Sequence, residues 1–224
     1  LALFGDRYPI TSNLNEAELI MVRSANMHEM ALPESLIAVA RAGAGVNNIP
    51  LDALAKKGIV VFNTPGANAN GVKELVIAGM LLSARDIYGG ISWVKANQSD
   101  PEIAKTVEKA KAQFSGTEIL GKTIGIVGMG AIGILVAKAC HDLGMNVYGY
   151  DVYFNEERRS MLPPGFVFCD TIDELYSVSD YITLHVPLTP DTKEMINEHT
   201  LAKMKDNVVI LNYSRDSLVN DDHM

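Results

Sequence analysis

Three glycines and an acid carry the clearest chemistry in the chain: Gly128, Gly130 and Gly133, with Asp151 18 residues beyond the last of them. A G-x-G-x-x-G spacing alone is weak, because glycines mark many tight turns. Here it follows the apolar run Thr123–Val127 and opens the helical pattern Ile134–Leu143. A second apolar run, Val147–Tyr150, ends at Asp151. In a strand–turn–helix–strand unit the first glycine allows the sharp turn, the second lets backbone approach a pyrophosphate, and the third lets helix pack on strand. The N–H groups of Ala131, Ile132 and Gly133 would face the phosphates at the positive end of the helix dipole. A carboxylate at Asp151 can accept hydrogen bonds from ribose hydroxyls and repels a 2′-phosphate. No arginine follows it at once, Val152 and Tyr153 coming next. The unit is therefore expected to bind NAD rather than NADP, with Arg158 and Arg159 near enough in sequence to keep the question open.

Other residues fit for chemistry are sparse. Arg23 and Arg41 each end an apolar run, where an arginine commonly leads its charge back to water. His185 ends another such run. His28, His141, His199 and His223 show no partner spacing and read as surface or helix-end residues. Two cysteines, Cys140 and Cys169, cannot build a disulfide framework; buried thiols in a reducing cytoplasm are the expectation. No Cys/His cluster has ligand spacing, so no structural metal is expected.

The elements that must hold these residues alternate between short β-branched runs and helical patterns, the mark of a parallel sheet covered by helices. Strands are predicted at Leu19–Val22, Ala38–Ala40 and Ile59–Phe62 in the first part of the chain. The later ones are Thr123–Val127, Val147–Tyr150, Val167–Phe168, Tyr181–Leu184 and Val208–Leu211. Helices are predicted at Pro33–Ile37, at Leu51–Lys57 with Gly58 as the stop, and at Asn70–Arg85. The apolar residues of the last nearly encircle it, which predicts burial on most sides. Ile87–Gly121 reads as a solvated connector with a Lys/Glu-rich helical patch at Ala104–Ala112. The fold class expected is α/β: a Rossmann-type doubly wound parallel sheet over residues 67–224, preceded by a smaller flavodoxin-like domain over residues 1–66.

At 224 residues the chain can bury one large or two modest cores. Its formal net charge of −8 argues against nucleic acid or an anionic membrane as partner. An anionic small molecule is not excluded, since a pocket can be locally positive. The uncharged run Ile124–Ala137 is short and holds four glycines, whereas a membrane span needs roughly 20 apolar residues.

Several motifs together resemble the D-2-hydroxyacid dehydrogenases. They are Val22-Arg23-Ser24-Ala25, Arg41 to Ile49 with its Ala42-Gly43-Ala44-Gly45-Val46 turn, and Asn63-Thr64-Pro65-Gly66-Ala67-Asn68. The glycine turn, Leu184 to Thr192, and Asn212-Tyr213-Ser214-Arg215 continue the match along nearly the whole chain. The resemblance is strongest to members acting on D-3-phosphoglycerate. It implies hydride transfer between NAD and that acid, yielding 3-phosphohydroxypyruvate at the opening of serine biosynthesis.

By position, the resemblance puts the catalytic arginine at Arg215, a planar fork suited to a carboxylate and the oxygen at the reacting carbon. Ala42, Gly43, Ala44 and Gly45 fall on the carboxylate-binding turn, and Arg23 and Arg41 on arginines that face a substrate phosphate. Pro187 and Thr192 fall on the loop lining the adenosine half, Tyr213 on the turn beside the nicotinamide, and His185 on a cofactor-side position rather than the catalytic base. The resemblance also implies a cleft between the two domains, a homodimer or higher homo-oligomer supported by the Asn70–Arg85 helix, and a cytoplasmic enzyme. It puts the family's catalytic Glu and His beyond Met224 and a further strand and helix before Leu1, so both sheets are expected to be incomplete. Two departures stand out: Asp216 replaces the usual Gly after the catalytic Arg, and Asn47 replaces the acid of the usual V-D-N pattern. The alternatives are another 2-hydroxyacid dehydrogenase, such as a glyoxylate/hydroxypyruvate reductase, and a non-catalytic NAD-sensing binding protein.

Overall fold

Short apolar runs that end in turn residues pair here as parallel strands. The computed structural model describes residues 8–224, and the chain divides into two units between Asn68 and Ala69. In the first unit, β1 (Leu19–Val22), β2 (Ala38–Arg41) and β3 (Val60–Asn63) form a parallel sheet in the order β1-β2-β3. Val22 stands beside Arg41 and Arg41 beside Asn63, so the carboxyl ends of all three strands lie level. Helix α1 (Leu51–Lys56) precedes β3 and is stopped at Gly58, whose φ of 72° suits a residue without a Cβ. Val22, Met27, Leu36, Val39, Ile49, Leu54 and Ile59 make the core of this unit.

The helix predicted at Pro33–Ile37 does not form. These residues make a turn closed by Leu36 N–H on the Pro33 carbonyl, and the chain then enters β2. Five residues are too few to repay helix nucleation when the next segment must already be extended.

The second unit holds β4 (Thr123–Val127), β5 (Asn146–Tyr150), β6 (Val167–Phe168), β7 (Tyr181–Leu184) and β8 (Val209–Asn212), all parallel, in the order β6-β5-β4-β7-β8. Side chains alternate between two cores. Ile124, Ile126, Val147 and Tyr181 pack on one face with α2 (Ala69–Ala84) and α5 (Ala131–Asp142). Val127, Ile182 and Leu184 pack on the other with α7 (Ile172–Val178). Both faces being covered explains why the strands read as continuous apolar runs rather than as alternating ones. Gly125 lets α7 come close, since a Cβ there would lie 2.5 Å from Leu175 Cδ2.

The stretch expected to be a connector holds two helices, α3 (Ile87–Ala96) and α4 (Ile103–Ala110). Helix α2 buries only one face: Val76 and Met80 are inside, while Leu75 and Leu82 are about half exposed. Two short helices, α6 (Glu156–Arg159) and α8 (Glu198–Leu201), complete the unit. Among the described residues, no single helix is long and apolar enough to cross a membrane.

Candidate functional site

Strand order reverses between β4 and β7. The crevice beyond the carboxyl ends of strands at such a point is where open α/β sheets bind ligands. Gly128 leaves β4 there with a φ of 97°, and a Cβ on it would lie 2.6 Å from the His185 carbonyl at the end of β7. Gly133, in the first turn of α5, sits over Gly128; a Cβ there would come within 2.1 Å of the Gly128 carbonyl. Gly130, the N-cap of α5, differs: a Cβ on it would meet no protein atom within 4 Å. No protein contact requires glycine at this position, and the space before it is open. Among the described residues, the N–H groups of Ala131, Ile132 and Gly133 have no acceptor, as befits the first turn of a helix.

Asp151 is drawn into the same place. Its Oδ2 accepts the Met129 N–H at 2.7 Å and its Oδ1 accepts the Tyr153 N–H at 2.7 Å. The carboxylate thus pins the glycine turn to the end of β5, a contact to Met129 that nothing in the sequence pointed to. Each oxygen keeps a further lone pair for a ribose hydroxyl.

His185 lies beside Gly128 and is half-buried. Its Nε2 is 3.0 Å from Thr183 Oγ1, while its Nδ1 is shut off from water without a partner. Burial pushes the ring pKa down to about 4, which keeps it neutral near pH 7. Pro187 and Thr192 belong to one turn, Thr192 Oγ1 donating to the Pro187 carbonyl at 2.7 Å.

Arg215 is exposed on the turn after β8. Asn212 shapes that turn by accepting the Ser214 N–H and donating to the Arg215 carbonyl, and Ser214 Oγ ties it to the Val186 carbonyl. The guanidinium donates from Nη1 to the Ser214 carbonyl. Asp216 opens a short 3-10 helix, and no ion pair links it to Arg215 among the described residues. The Tyr213 ring lies against α2, its hydroxyl 2.1 Å from where a Gly79 Cβ would stand.

In the first unit the turn after β2 brings Arg23, Arg41 and Ala42–Gly45 together. Arg41 Nε donates to the Arg23 carbonyl at 3.1 Å, and its guanidinium lies against Gly43. Among the described residues, the N–H groups of Ala44, Gly45 and Val46 have no acceptor. A hollow of about 640 Å³ in this unit is lined by His28, Val46, Asn47, Ile49 and Asp52. It gathers no set of converging charges, so the N–H row is the better candidate site.

Cys140 and Cys169 are buried free thiols, held by desolvation at pKa values of about 12 and 11. No group of three or more potential metal ligands gathers among the described residues.

Residues 77–224 match the family model described as D-isomer specific 2-hydroxyacid dehydrogenase, NAD binding domain. The chain belongs to this family. It is 36% identical over 215 residues to the D-3-phosphoglycerate dehydrogenase of Methanocaldococcus jannaschii, covering 95% of this chain and 39% of that one. It is 38% identical over 210 residues to the hydroxypyruvate reductase of Thermotoga maritima, covering 92% of this chain and 63% of the other. Among solved structures it is similar to the D-lactate dehydrogenase of Aquifex aeolicus complexed with NAD and lactic acid. There the TM-score is 0.74 at 30% identity, over 94% of this chain and 60% of that one. The chain therefore spans about two fifths of the length of the phosphoglycerate dehydrogenases it matches.

The dehydrogenase family's cofactor is NAD, and the residues present fit it. The space before Gly130 would be filled by a Cβ, the first turn of α5 offers unengaged donors, and Asp151 is fixed beside both.

Proposed function

We propose that this chain is part of an enzyme that oxidises D-3-phosphoglycerate to 3-phosphohydroxypyruvate with NAD, the first step of serine biosynthesis. The observation that carries this reading is the turn after β2, where the unengaged N–H groups of Ala44, Gly45 and Val46 adjoin the Arg41 guanidinium. Three donors in a row suit a carboxylate, and the cations of Arg41, held at Nε by the Arg23 carbonyl, and of the exposed Arg23 suit a second anionic group such as a phosphate.

In this reading the N–H groups of Ala131, Ile132 and Gly133 hold the cofactor pyrophosphate at the start of α5. Asp151 takes the ribose hydroxyls, and Gly128 and Gly130 supply the turn and the room. Pro187 and Thr192 line the adenosine half, Tyr213 flanks the nicotinamide end, and His185 stays neutral on the cofactor side. Arg215 holds the substrate carboxylate and the oxygen on the reacting carbon, acting through position and charge. When bound, NAD would supply the acceptor for the hydride of the hydroxyl-bearing carbon. We place the enzyme in the cytoplasm, where buried reduced thiols such as Cys140 and Cys169 are the rule. Its partner is a second copy of the chain through the apolar side of α2 and α3.

A second reading is a reductase of unphosphorylated hydroxypyruvate or glyoxylate. It is favoured by the bracing role of Arg41, whose Nε is already spent on the Arg23 carbonyl. The product of the complete gene decides between them. Arg23→Ala should raise KM for D-3-phosphoglycerate by about tenfold or more, the loss of one charge-assisted contact, while leaving D-glycerate nearly unchanged. Equal small effects on both acids, or turnover of D-glycerate alone, would remove the phosphorylated substrate and leave the reductase.

A further inference from the structure

From within, the turn after β2 is held by Gly43 N–H on the Arg41 carbonyl at 3.0 Å. It is gripped from the neighbouring strand end by two side chains, Asn63 and Thr64. Because Arg41 and Asn63 stand in register, the residues that follow them face each other across the parallel ladder. Thr64 then clamps Gly43 at two points: its Oγ1 accepts the Gly43 N–H at 2.8 Å, and its N–H donates to the Gly43 carbonyl at 3.1 Å. Asn63 Nδ2 donates to the Ala44 carbonyl at 2.8 Å.

These three bonds engage one N–H and two carbonyls of the turn. The N–H donors of Ala44, Gly45 and Val46 are left without an acceptor among the described residues, and the carbonyls of Ala42 and Gly45 without a donor. The consequence is electrostatic. Carbonyl oxygens beside an anion site would repel its ligand; here those of Gly43 and Ala44 are engaged by donors, next to a row of three unengaged N–H groups. Gly43 is suited to the shape this demands, with a φ of 146° and the Arg41 guanidinium where a Cβ would be.

We infer that Asn63 and Thr64 are positioning residues for an anion site at Ala44–Val46, setting the direction of its N–H donors without touching the ligand. The inference rests on the functional reading above, because the anion is taken to be the carboxylate of a 2-hydroxy acid.

Thr64→Val keeps the β-branched shape and removes only the oxygen; Thr64→Ser restores it. In the product of the complete gene, Thr64→Val should raise KM for the hydroxy acid about fivefold to tenfold, the size of one lost hydrogen bond. KM for NAD and kcat should stay within about twofold, and Thr64→Ser should return to the parent value. A purely structural residue would lower stability or all constants together without separating the two KM values. A direct readout comes from the amide signals of Ala44, Gly45 and Val46 during titration with oxalate, a small dicarboxylate. They should shift in the parent and in Thr64→Ser, and shift much less in Thr64→Val. If oxalate moves them in this pattern while no 2-hydroxy acid is turned over, the dehydrogenase reading fails and the positioning role stands. If turnover is normal and Thr64→Val alters neither KM nor the titration, the positioning role is overturned. A parent whose three amides ignore oxalate overturns it as well.

Discussion

His185 shows how one residue's surroundings decide its chemistry. A histidine at a strand end near a cofactor invites the role of general base, yet burial lowers its pKa to about 4 and leaves Nδ1 without a partner. A ring that stays neutral across the working range cannot store the proton released with a hydride. The sign of its effect on stability follows. The unfolded ring protonates near its ordinary value of about 6.5, whereas the folded ring resists until about pH 4. Between those values only the unfolded state gains the proton, so stability falls as pH drops through this window and levels off below it. The shift bounds the loss at about 3 kcal/mol. Denaturant midpoints for the parent and His185→Leu, compared at pH 7 and pH 4.5, should converge toward acid by up to that amount. Parallel curves would show that burial does not control this ring. At this scale the sequence was informative where chemistry needs a residue type, as at Asp151 and the glycines. It was silent where a side chain serves the backbone: the hold of Asp151 on Met129, and the hold of Arg41 on the turn after β2, depend on strand register.

Helix α5 begins with two glycines that are glycine for different reasons, and its first turn can test both. At Gly133 a Cβ would meet a backbone carbonyl at 2.1 Å, which neither partner can yield without moving strand from helix. At Gly130 the space is open. Gly133→Ala should therefore destabilise the unit by about 1–3 kcal/mol, despite the better helix propensity of alanine. Gly130→Ala should leave the melting temperature nearly unchanged while weakening NAD binding by tenfold or more. Thermal unfolding combined with NAD titration separates the two. If both variants lose stability alike, the space before Gly130 is not cofactor room. The same element was legible in advance because a strand, a turn and a helix agreed over a long stretch. Helix α3 was not, since Gly89-Gly90 in its first turn weaken the helical pattern. Its N-cap, Asp86, accepts the Gly89 N–H and offsets part of that cost. The segment 33–37 erred the other way, helical by composition but closed as a turn that leads directly into β2.

At the scale of the whole molecule, the misreading of α2 is the most useful one. An apolar pattern all round a helix predicts burial all round, yet Leu75, Leu81 and Leu82 remain exposed, and so do Ile87, Tyr88, Ile91 and Val94 on α3. One face packs on α5 and β8 within the chain, while the other is exposed among the described residues. Scattered exposed leucines need no explanation, but a contiguous run over two consecutive helices exceeds what a monomer usually shows. The occupant proposed for this face is a second copy of the chain, since a two-fold axis lets the same patch cover itself. The product of the complete gene should sediment as a dimer. Leu82→Asp together with Val94→Asp should shift it to monomer, because each desolvated carboxylate would cost several kcal/mol at a closed interface and almost nothing on an open one. Retention of NAD binding by that monomer would show that the cofactor unit folds without its partner. A double variant that stays dimeric, with its melting temperature unchanged, would mean that the association uses another surface.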